Sequence, residues 1–522
     1  MSQEKPQSRR EFLHAIGSLG GSAAVYQAMV TMGLLVPKDA QAAINKQRWQ
    51  ASASQNASAN KPTIAILGAG ISGLYVAYEL KKAGYPFYLI EARARPGGRN
   101  HTVRAGSVLT ETDSQQVCQF DSHDELYFNA GAARISQHHQ HLLSICRELK
   151  VPLQALVNDN PGAYLHSTSA FAGQPVRGRE VQAALRGNIA SLLAKAINAN
   201  ALNGEISNVE RAYVLEVLKD FGALDNSWQY SGSTRAGVVP GSGGLTGEVA
   251  KQALKFEDFI FHPRVPFAAN FAQTYEQAAT MMQPVGGMDK IAYALAEQVA
   301  EESTYGAEVT AIRRTTNGVR VEGKVGKQVG AIEADYAIVT IPPSVLFKIP
   351  NDFSTQAKIQ IAQVQYAAPT KIAFQSPRFW ELEDIYGGIS WTDPEILQLW
   401  YPSGGFGMSQ GVIVGSYLFG GEHAARFANM SPQQRSEFAL AKGERVHPNY
   451  RQNLSRPVSV AWSKVPYSMG GWSSSAPSSI LQKPDGPFIF AGDHLTHLQG
   501  WQEGAVISSL NALANLASMV NA

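Results

Sequence analysis

Three glycines in Gly68-Ala69-Gly70-Ile71-Ser72-Gly73 have the spacing of a phosphate-binding turn. Gly68 permits the tight bend, Gly70 lets backbone approach a pyrophosphate, and Gly73 lets a helix pack close against a strand. Ile71 and Ser72 open that helix, whose first amides face the phosphates. Glu91, 23 residues beyond Gly68, is placed to grip a ribose diol and repel a 2′-phosphate. This pattern holds an ADP moiety and does not by itself separate NAD from FAD. Two further segments favour the flavin. Ala92-Arg93 leads into Arg95-Pro96-Gly97-Gly98-Arg99, which offers backbone amides and a guanidinium to a phosphate or ribityl chain. Phe488-Ile489-Phe490-Ala491-Gly492-Asp493 reads as a strand ending in a carboxylate suited to a ribityl hydroxyl. A helix from about Gly504, including Ala505, would aim its N-terminus at the flavin pyrimidine.

Strands and helices to carry these groups can be read in the flanking sequence. Thr63 to Leu67 is a short apolar run suited to a buried parallel strand, and Ser72 to Ala83 has helical apolar spacing. Phe87-Tyr88-Leu89-Ile90 supplies the second strand and delivers Glu91 at its end. Val181 to Ala201 and Glu210 to Phe221 also carry helical spacing with few breakers. Gly241-Ser242-Gly243-Gly244 has no strand before it and reads as a loop.

The 522 residues suggest two or three domains, and 44% apolar with 16% charged residues is a globular composition. Lys+Arg 44 against Asp+Glu 42 leaves +2, with no basic excess to steer nucleic acid. Two cysteines, Cys118 and Cys146, exclude a disulfide scaffold and a four-thiolate metal site, and leave one bridge open. At the N-terminus, Ser8-Arg9-Arg10-Glu11-Phe12-Leu13 precedes a weakly apolar stretch to Pro37 and then Ala40-Gln41-Ala42. Residues 1–42 therefore read as a twin-arginine signal peptide, with 43–61 as a polar linker. A membrane anchor is the alternative, weakened by Gly17, Gly20, Gly21 and Gly33. The signal predicts passage through the twin-arginine translocation machinery to the periplasm or the exterior, with no stable membrane association after cleavage. Export in the folded state fits a retained flavin, because a nicotinamide must leave its enzyme to be recycled.

These features, with Gln283-Pro284-Val285-Gly286-Gly287-Met288, Val339-Thr340-Ile341-Pro342-Pro343, Thr370-Lys371 and Gly500-Trp501-Gln502-Glu503-Gly504-Ala505, resemble the flavin amine oxidase superfamily, in its L-amino-acid oxidase branch. The resemblance implies an α/β fold (α+β overall) with a Rossmann-type FAD-binding domain built from 61–105, 268–350 and 484–522. It implies an antiparallel-sheet substrate domain from 106–145 and 351–483, and a helical insertion over 146–267. It further implies FAD, held non-covalently because no cysteine lies near the C-terminal glycine motif, with Val309 beside the adenine and Ala132 and Ala133 against the cofactor. Arg134 would clamp a substrate carboxylate, which a planar guanidinium binds bidentately. Tyr417 would donate a second bond to it, Lys371 would hold a water near the flavin, and the Gly500 carbonyl would accept from the substrate amine. Trp501 and Trp472 would form aromatic walls, and Trp391, Trp400, Tyr401 and Tyr467 add to an apolar pocket.

The implied reaction takes an L-amino acid and dioxygen to a 2-oxo acid, ammonia and hydrogen peroxide, in a homodimer or larger homo-oligomer. An amino-acid 2-monooxygenase, an amine oxidase lacking the carboxylate clamp, and a non-catalytic exported flavin carrier are the competing readings. His138-His139-Gln140-His141, His494 and His497 stand without cysteine or carboxylate partners in their motifs, so no metal is expected.

Overall fold

The computed structural model describes residues 40–55, 61–202, 204–262 and 264–521. The short apolar runs assemble a parallel sheet in the order Ser303–Tyr305, Phe87–Glu91, Ile64–Leu67, Tyr336–Val339 and Phe488–Phe490. Alternation of side chains gives each strand two faces. Ile64 and Ile66 join one core with Leu74 and Ala77 of the helix Ile71–Lys82 and Leu510 and Leu513 of the helix Gln502–Val520. Ala65 and Leu67 face a second core built with Val309, Ile312 and Val321 of a three-stranded antiparallel sheet. Leu67 lies opposite both Ile90 and Val339, so Gly68, Glu91 and Thr340 all emerge at one edge. Ligands of open parallel sheets bind at such an edge, outside the carboxyl ends of the strands.

A seven-stranded sheet forms the second layer, in the order Ser455–Ala461, Thr370–Pro377, Gln410–Leu418, Gln398–Tyr401, Gly388–Trp391, Tyr164–Leu165 and Val176–Arg177. It is mixed rather than purely antiparallel, because Trp391 pairs in parallel with Leu165. Lys371 therefore sits on an interior strand, opposite Tyr417 on one side and Val460 on the other. Glu111 and Arg435 fix the segment after residue 106 to this layer. Their bidentate contacts of 2.7 and 2.8 Å are almost wholly buried, and Glu111 also accepts from the Ala461 amide at 2.7 Å.

Three expected boundaries differ in the structure. Residues 43–61 are not a linker over most of their length: Ala40–Gln55 is a helix that lies on the C-terminal helix. Its polar composition hides one strong contact, Trp49, which is 1% exposed and packs at 5.5 Å, tilted, against the Tyr85 ring. The helix also takes in Ala40-Gln41-Ala42, whereas Arg9 and Arg10 lie outside the described residues. Second, the helix Gln140–Glu148 crosses the expected division at 145/146 and buries Leu142, Leu143, Ile145 and Cys146 in the core beneath the parallel sheet. Third, residues 146–177 are not part of a helical insertion. Leu153–Leu156 pairs with Met281–Pro284, and the next two strands extend the seven-stranded sheet. The helical part proper is Gly178–Asn198 and Asn208–Gly222, with shorter turns after them.

Cys118 and Cys146 are both free, buried thiols in different cores. Among the described residues, no helix is long and apolar enough to cross a membrane. If the helix Ala40–Gln55 belongs to the body of the fold, Trp49→Ala lowers unfolding free energy by about 3–5 kcal/mol. Denaturant unfolding followed by far-ultraviolet circular dichroism measures this, and a loss below about 1 kcal/mol would make the contact incidental.

Candidate active site

Two cavities of about 320 and 410 Å³ adjoin at the strand edge and share Gly70, Arg99 and Thr340. The sequence-predicted residues divide between them. Gly68, Glu91, Ala92, Arg93, Gly98 and Val309 line the first compartment. The second holds the Ile71–Ser72 helix start, Ala132 to Arg134, Lys371, Tyr417, Trp472, Gly492, Asp493, Gly500, Trp501 and Ala505. Gly73 lines neither and serves packing alone, since a Cβ there would meet the Gly68 carbonyl at 1.9 Å.

At the Glu91 end, the carboxylate accepts from the Ala69 amide and from the Arg93 amide, both at 2.8 Å. Those bonds fix it at the mouth of the glycine turn, where a ribose would lie. Thr340 Oγ1 donates to the carbonyls of Leu67 and Gly68 at 2.9 and 3.0 Å and holds the turn from the neighbouring strand. Tyr467 belongs to this end too, bonded to Glu308 at 3.1 Å, and not to the second compartment.

In the middle, Arg99 lines both cavities and is also anchored within the protein. Its guanidinium is held by Asp493 at 2.6 Å and by the Gly471 carbonyl at 2.7 Å, so its strongest partner is a side chain of the protein. Asp493 also accepts from the Gly500 amide at 3.1 Å. Burial pushes the Asp493 carboxyl up, but Arg99, His494 and that amide outweigh it and hold the pKa below its usual range. Ser72 is likewise engaged, donating to the Ala505 carbonyl at 3.1 Å and so tying the two cavity-facing helix starts together.

The C-terminal helix begins at Gln502, two residues before the expected start. Glu503, fully buried in its first turn, accepts from the amides of His141 and Leu142 at 3.0 and 2.7 Å and thereby caps the helix Gln140–Glu148.

Lys371, Arg134 and Tyr417 converge in the second compartment. Lys371 is 4% exposed and donates to the carbonyls of Asn129 and Gly131 at 2.9 and 2.7 Å. Its ammonium lies 4.5 Å from the centre of the Tyr417 ring. Burial, and after it the neighbouring Arg134 charge, pulls its pKa down to about 7. Once neutral, it spends both N–H groups on those carbonyls and keeps one lone pair able to hold a water or take a proton.

Arg134 stacks 4.6 Å over Trp400 and donates to Asn158 Oδ1 at 3.0 Å. Burial lowers its pKa to about 10 against the pull of Tyr417, and burial raises the Tyr417 phenol to about 12. Among the described residues, no carboxylate lies within salt-bridge distance of Arg134 or Lys371. A buried guanidinium with no carboxylate beside it, joined by the Lys371 ammonium below about pH 7, favours an anionic ligand in this compartment.

Its walls are aromatic. Trp472 abuts Gly500, and Trp501, Trp400, Phe271 and Phe419 complete the lining. Trp391 and Tyr401 belong instead to packed cores: Trp391 meets Phe271 from behind at 4.9 Å, and Tyr401 bonds His447 at 2.6 Å. No motif flags Asn158, Phe271 or Gln277, and Gln502 lies within the C-terminal motif without having been given a role.

Two features of the lining leave room and hydrogen-bonding capacity for a cofactor. Gly70 has nothing within 4 Å of a Cβ position, and both polar atoms of the buried Gln502 amide lack a partner among the described residues. The histidines of 138–141 do have an acidic neighbour, contrary to the expectation from their motif. Glu276 Oε2 lies 2.8 Å from His138 Nε2 and 3.4 Å from His139 Nε2. The Ser136 amide donates to His139 Nδ1 at 3.3 Å, which leaves the proton on Nε2 facing Glu276. The trio is thus a hydrogen-bonded wall beside Trp501, which His139 meets edge-on at 4.9 Å.

The family described as flavin containing amine oxidoreductase matches residues 71–516. A Bacillus subtilis (strain 168) protein provisionally named an L-amino-acid oxidase is 28% identical over 486 residues, covering 87% of this chain and 94% of that protein. The flavin-dependent L-tryptophan oxidase RebO of Lentzea aerocolonigenes is 27% identical over 495 residues, covering 86% of this chain and 97% of that protein. Among solved structures, cyclohexylamine oxidase from Brevibacterium oxydans IH-35A superposes with a TM-score of 0.58 at 18% identity, over 89% of this chain and 100% of that one.

The Lys371 pKa near 7 gives a signed expectation. Below it the ammonium adds to the field of Arg134; above it that contribution is lost. Benzoate, a carboxylate without an amine, should bind more weakly as pH rises through 7. In Lys371→Met the affinity should be flat across the same range, as titration calorimetry would measure. A flat profile in the unmodified protein would contradict the coupling.

Proposed function

Because the chain belongs to the flavin containing amine oxidoreductase family, we propose that it oxidatively deaminates L-amino acids to 2-oxo acids, releasing ammonia and hydrogen peroxide. The observation that carries this reading is Arg134, a guanidinium without a carboxylate partner among the described residues, in the same compartment as Lys371 and Trp501. An amine lacking a carboxylate gives such a group nothing to bind, whereas an amino acid neutralises it. The family's flavin implies FAD. The first compartment with Glu91 would hold its ADP portion, and Asp493, Gln502 and Trp501 its remainder.

Bound non-covalently, FAD would supply the two-electron oxidation of the substrate Cα–N bond and return the electrons to dioxygen. The protein's part is placement. Arg134 and Tyr417 pin the carboxylate, and the Gly500 carbonyl accepts from the amine, so the Cα–H has one presentation. Such orientation supplies up to roughly 7–11 kcal/mol of barrier lowering. Lys371, with a pKa near 7, holds a water or a proton at Nζ beside the reacting carbon. Trp472, Trp501, Trp400 and Phe271 exclude bulk water and favour large apolar or aromatic side chains. Export through Arg9 and Arg10 to the periplasm or the exterior, as a homodimer or larger assembly, belongs to the same proposal.

Incubation with each L-amino acid in turn should release equimolar ammonia and peroxide, most rapidly with aromatic side chains. An amide product with carbon dioxide would point to the monooxygenase instead. Removing one partner of a buried charged contact costs roughly 2–5 kcal/mol. Arg134→Met should therefore lower kcat/KM for L-phenylalanine on the order of a hundredfold to a thousandfold. Phenethylamine oxidation should not fall with it. Equal losses on both substrates would overturn the clamp.

A further inference from the structure

Four other covered arginines are answered by carboxylates, whereas Arg95, among the described residues, bonds only the carbonyls of Pro96 and Gly98. Arg99 meets Asp493 at 2.6 Å, Arg104 meets Asp289 at 2.8 Å, Arg378 meets Glu381 at 2.6 Å and Arg435 meets Glu111 at 2.7 Å. Arg134 is answered by an amide. Asn158 is only 6% exposed, accepts from the guanidinium through Oδ1, and donates through Nδ2 to the Gln277 carbonyl at 2.9 Å. That second bond fixes which end of the amide faces Arg134, because the reversed amide would aim its own N–H groups at a donor.

The frame around the pair is stiff. Asn158 follows the strand Leu153–Leu156, which pairs with Met281–Pro284, and Ile135 next to Arg134 exchanges backbone bonds with Met282 at 2.7 and 2.9 Å. Asn158 and Arg134 thus hang from two segments laid against one strand.

We propose that Asn158 is a positioning residue whose neutrality is its function: it aims the Arg134 guanidinium while leaving the positive charge for the substrate carboxylate. A carboxylate of nearly the same shape would accept the same bond and neutralise the receptor from within. The inference rests on reading Arg134 as the carboxylate clamp.

Asn158→Asp and Asn158→Ala in the FAD-loaded protein separate charge from shape. Benzoate dissociation constants are read from the flavin absorbance change at pH 8. The Asp variant should bind benzoate roughly thirtyfold or more weakly, and the Ala variant only about three- to tenfold. KM for L-phenylalanine should rise in the same order, with kcat at saturation changing less. A role in shape alone predicts the reverse, since Asp is the closer mimic. Ala equal to or worse than Asp, or both binding like the unmodified protein, would overturn the proposal.

If the Asp variant fails to retain FAD, Asn158→Ser decides the matter. This neutral acceptor should keep benzoate binding within about fivefold, and a larger loss would count against neutrality as the key property. Arg134→Met serves as the separate control. Unchanged benzoate binding there would sink the clamp itself, whereas a loss there with none in Asn158→Asp would sink only the role of Asn158.

Discussion

An uncompensated positive charge held out of water is the constraint around which the second compartment is organised. Arg134 and Lys371 share one wall, with burial and mutual repulsion lowering Lys371 to about 7 and burial lowering Arg134 to about 10. A fold tolerates such a pair only where hydrogen bonds replace part of the lost hydration and where an anion can arrive. Backbone carbonyls of Asn129 and Gly131 do the first for Lys371, and Asn158 with the face of Trp400 does it for Arg134. None of these partners carries a negative charge. The vacancy in charge, more than any single contact, defines which ligands the compartment favours.

The two layers meet so that neither completes the site alone. The parallel sheet delivers the glycine turn, Glu91 and Thr340 at one edge, while the seven-stranded sheet contributes Lys371 and Tyr417 from adjacent strands in register. The C-terminal helix closes the arrangement: Trp501 and Gln502 line the cavity, and Glu503 caps the helix that follows His138 and His139. A change in that helix therefore reaches the aromatic wall and the cap together.

Much of this was legible in the sequence because the informative spacings are local. Gly68, Gly70, Gly73 and Glu91 lie within one strand–turn–helix–strand unit, and their roles depend on little else. Lys371 and Tyr417 could be named through a resemblance, but only sheet register shows them side by side. Asn158 and Gln277 escaped notice because each sits in irregular chain, and the Asn158 side chain meets Arg134 and the Gln277 carbonyl only once the fold has formed. Glu276 reaches His138 and His139 across a comparable separation. The helix Ala40–Gln55 was hidden by its polar composition, since a single tryptophan supplies much of its hold on the core. Arg99 stands where its motif places it, lining both cavities, and only the structure shows that Asp493 also holds its guanidinium.

A crystal structure of the FAD-loaded protein with benzoate shows directly whether Arg134 receives the anion. Both carboxylate oxygens should lie within about 2.7–2.9 Å of the Arg134 guanidinium, with Tyr417 within hydrogen-bond reach and the ring between Trp472 and Trp501. A carboxylate bound elsewhere, with Arg134 still bonded to Asn158 alone, would contradict the clamp.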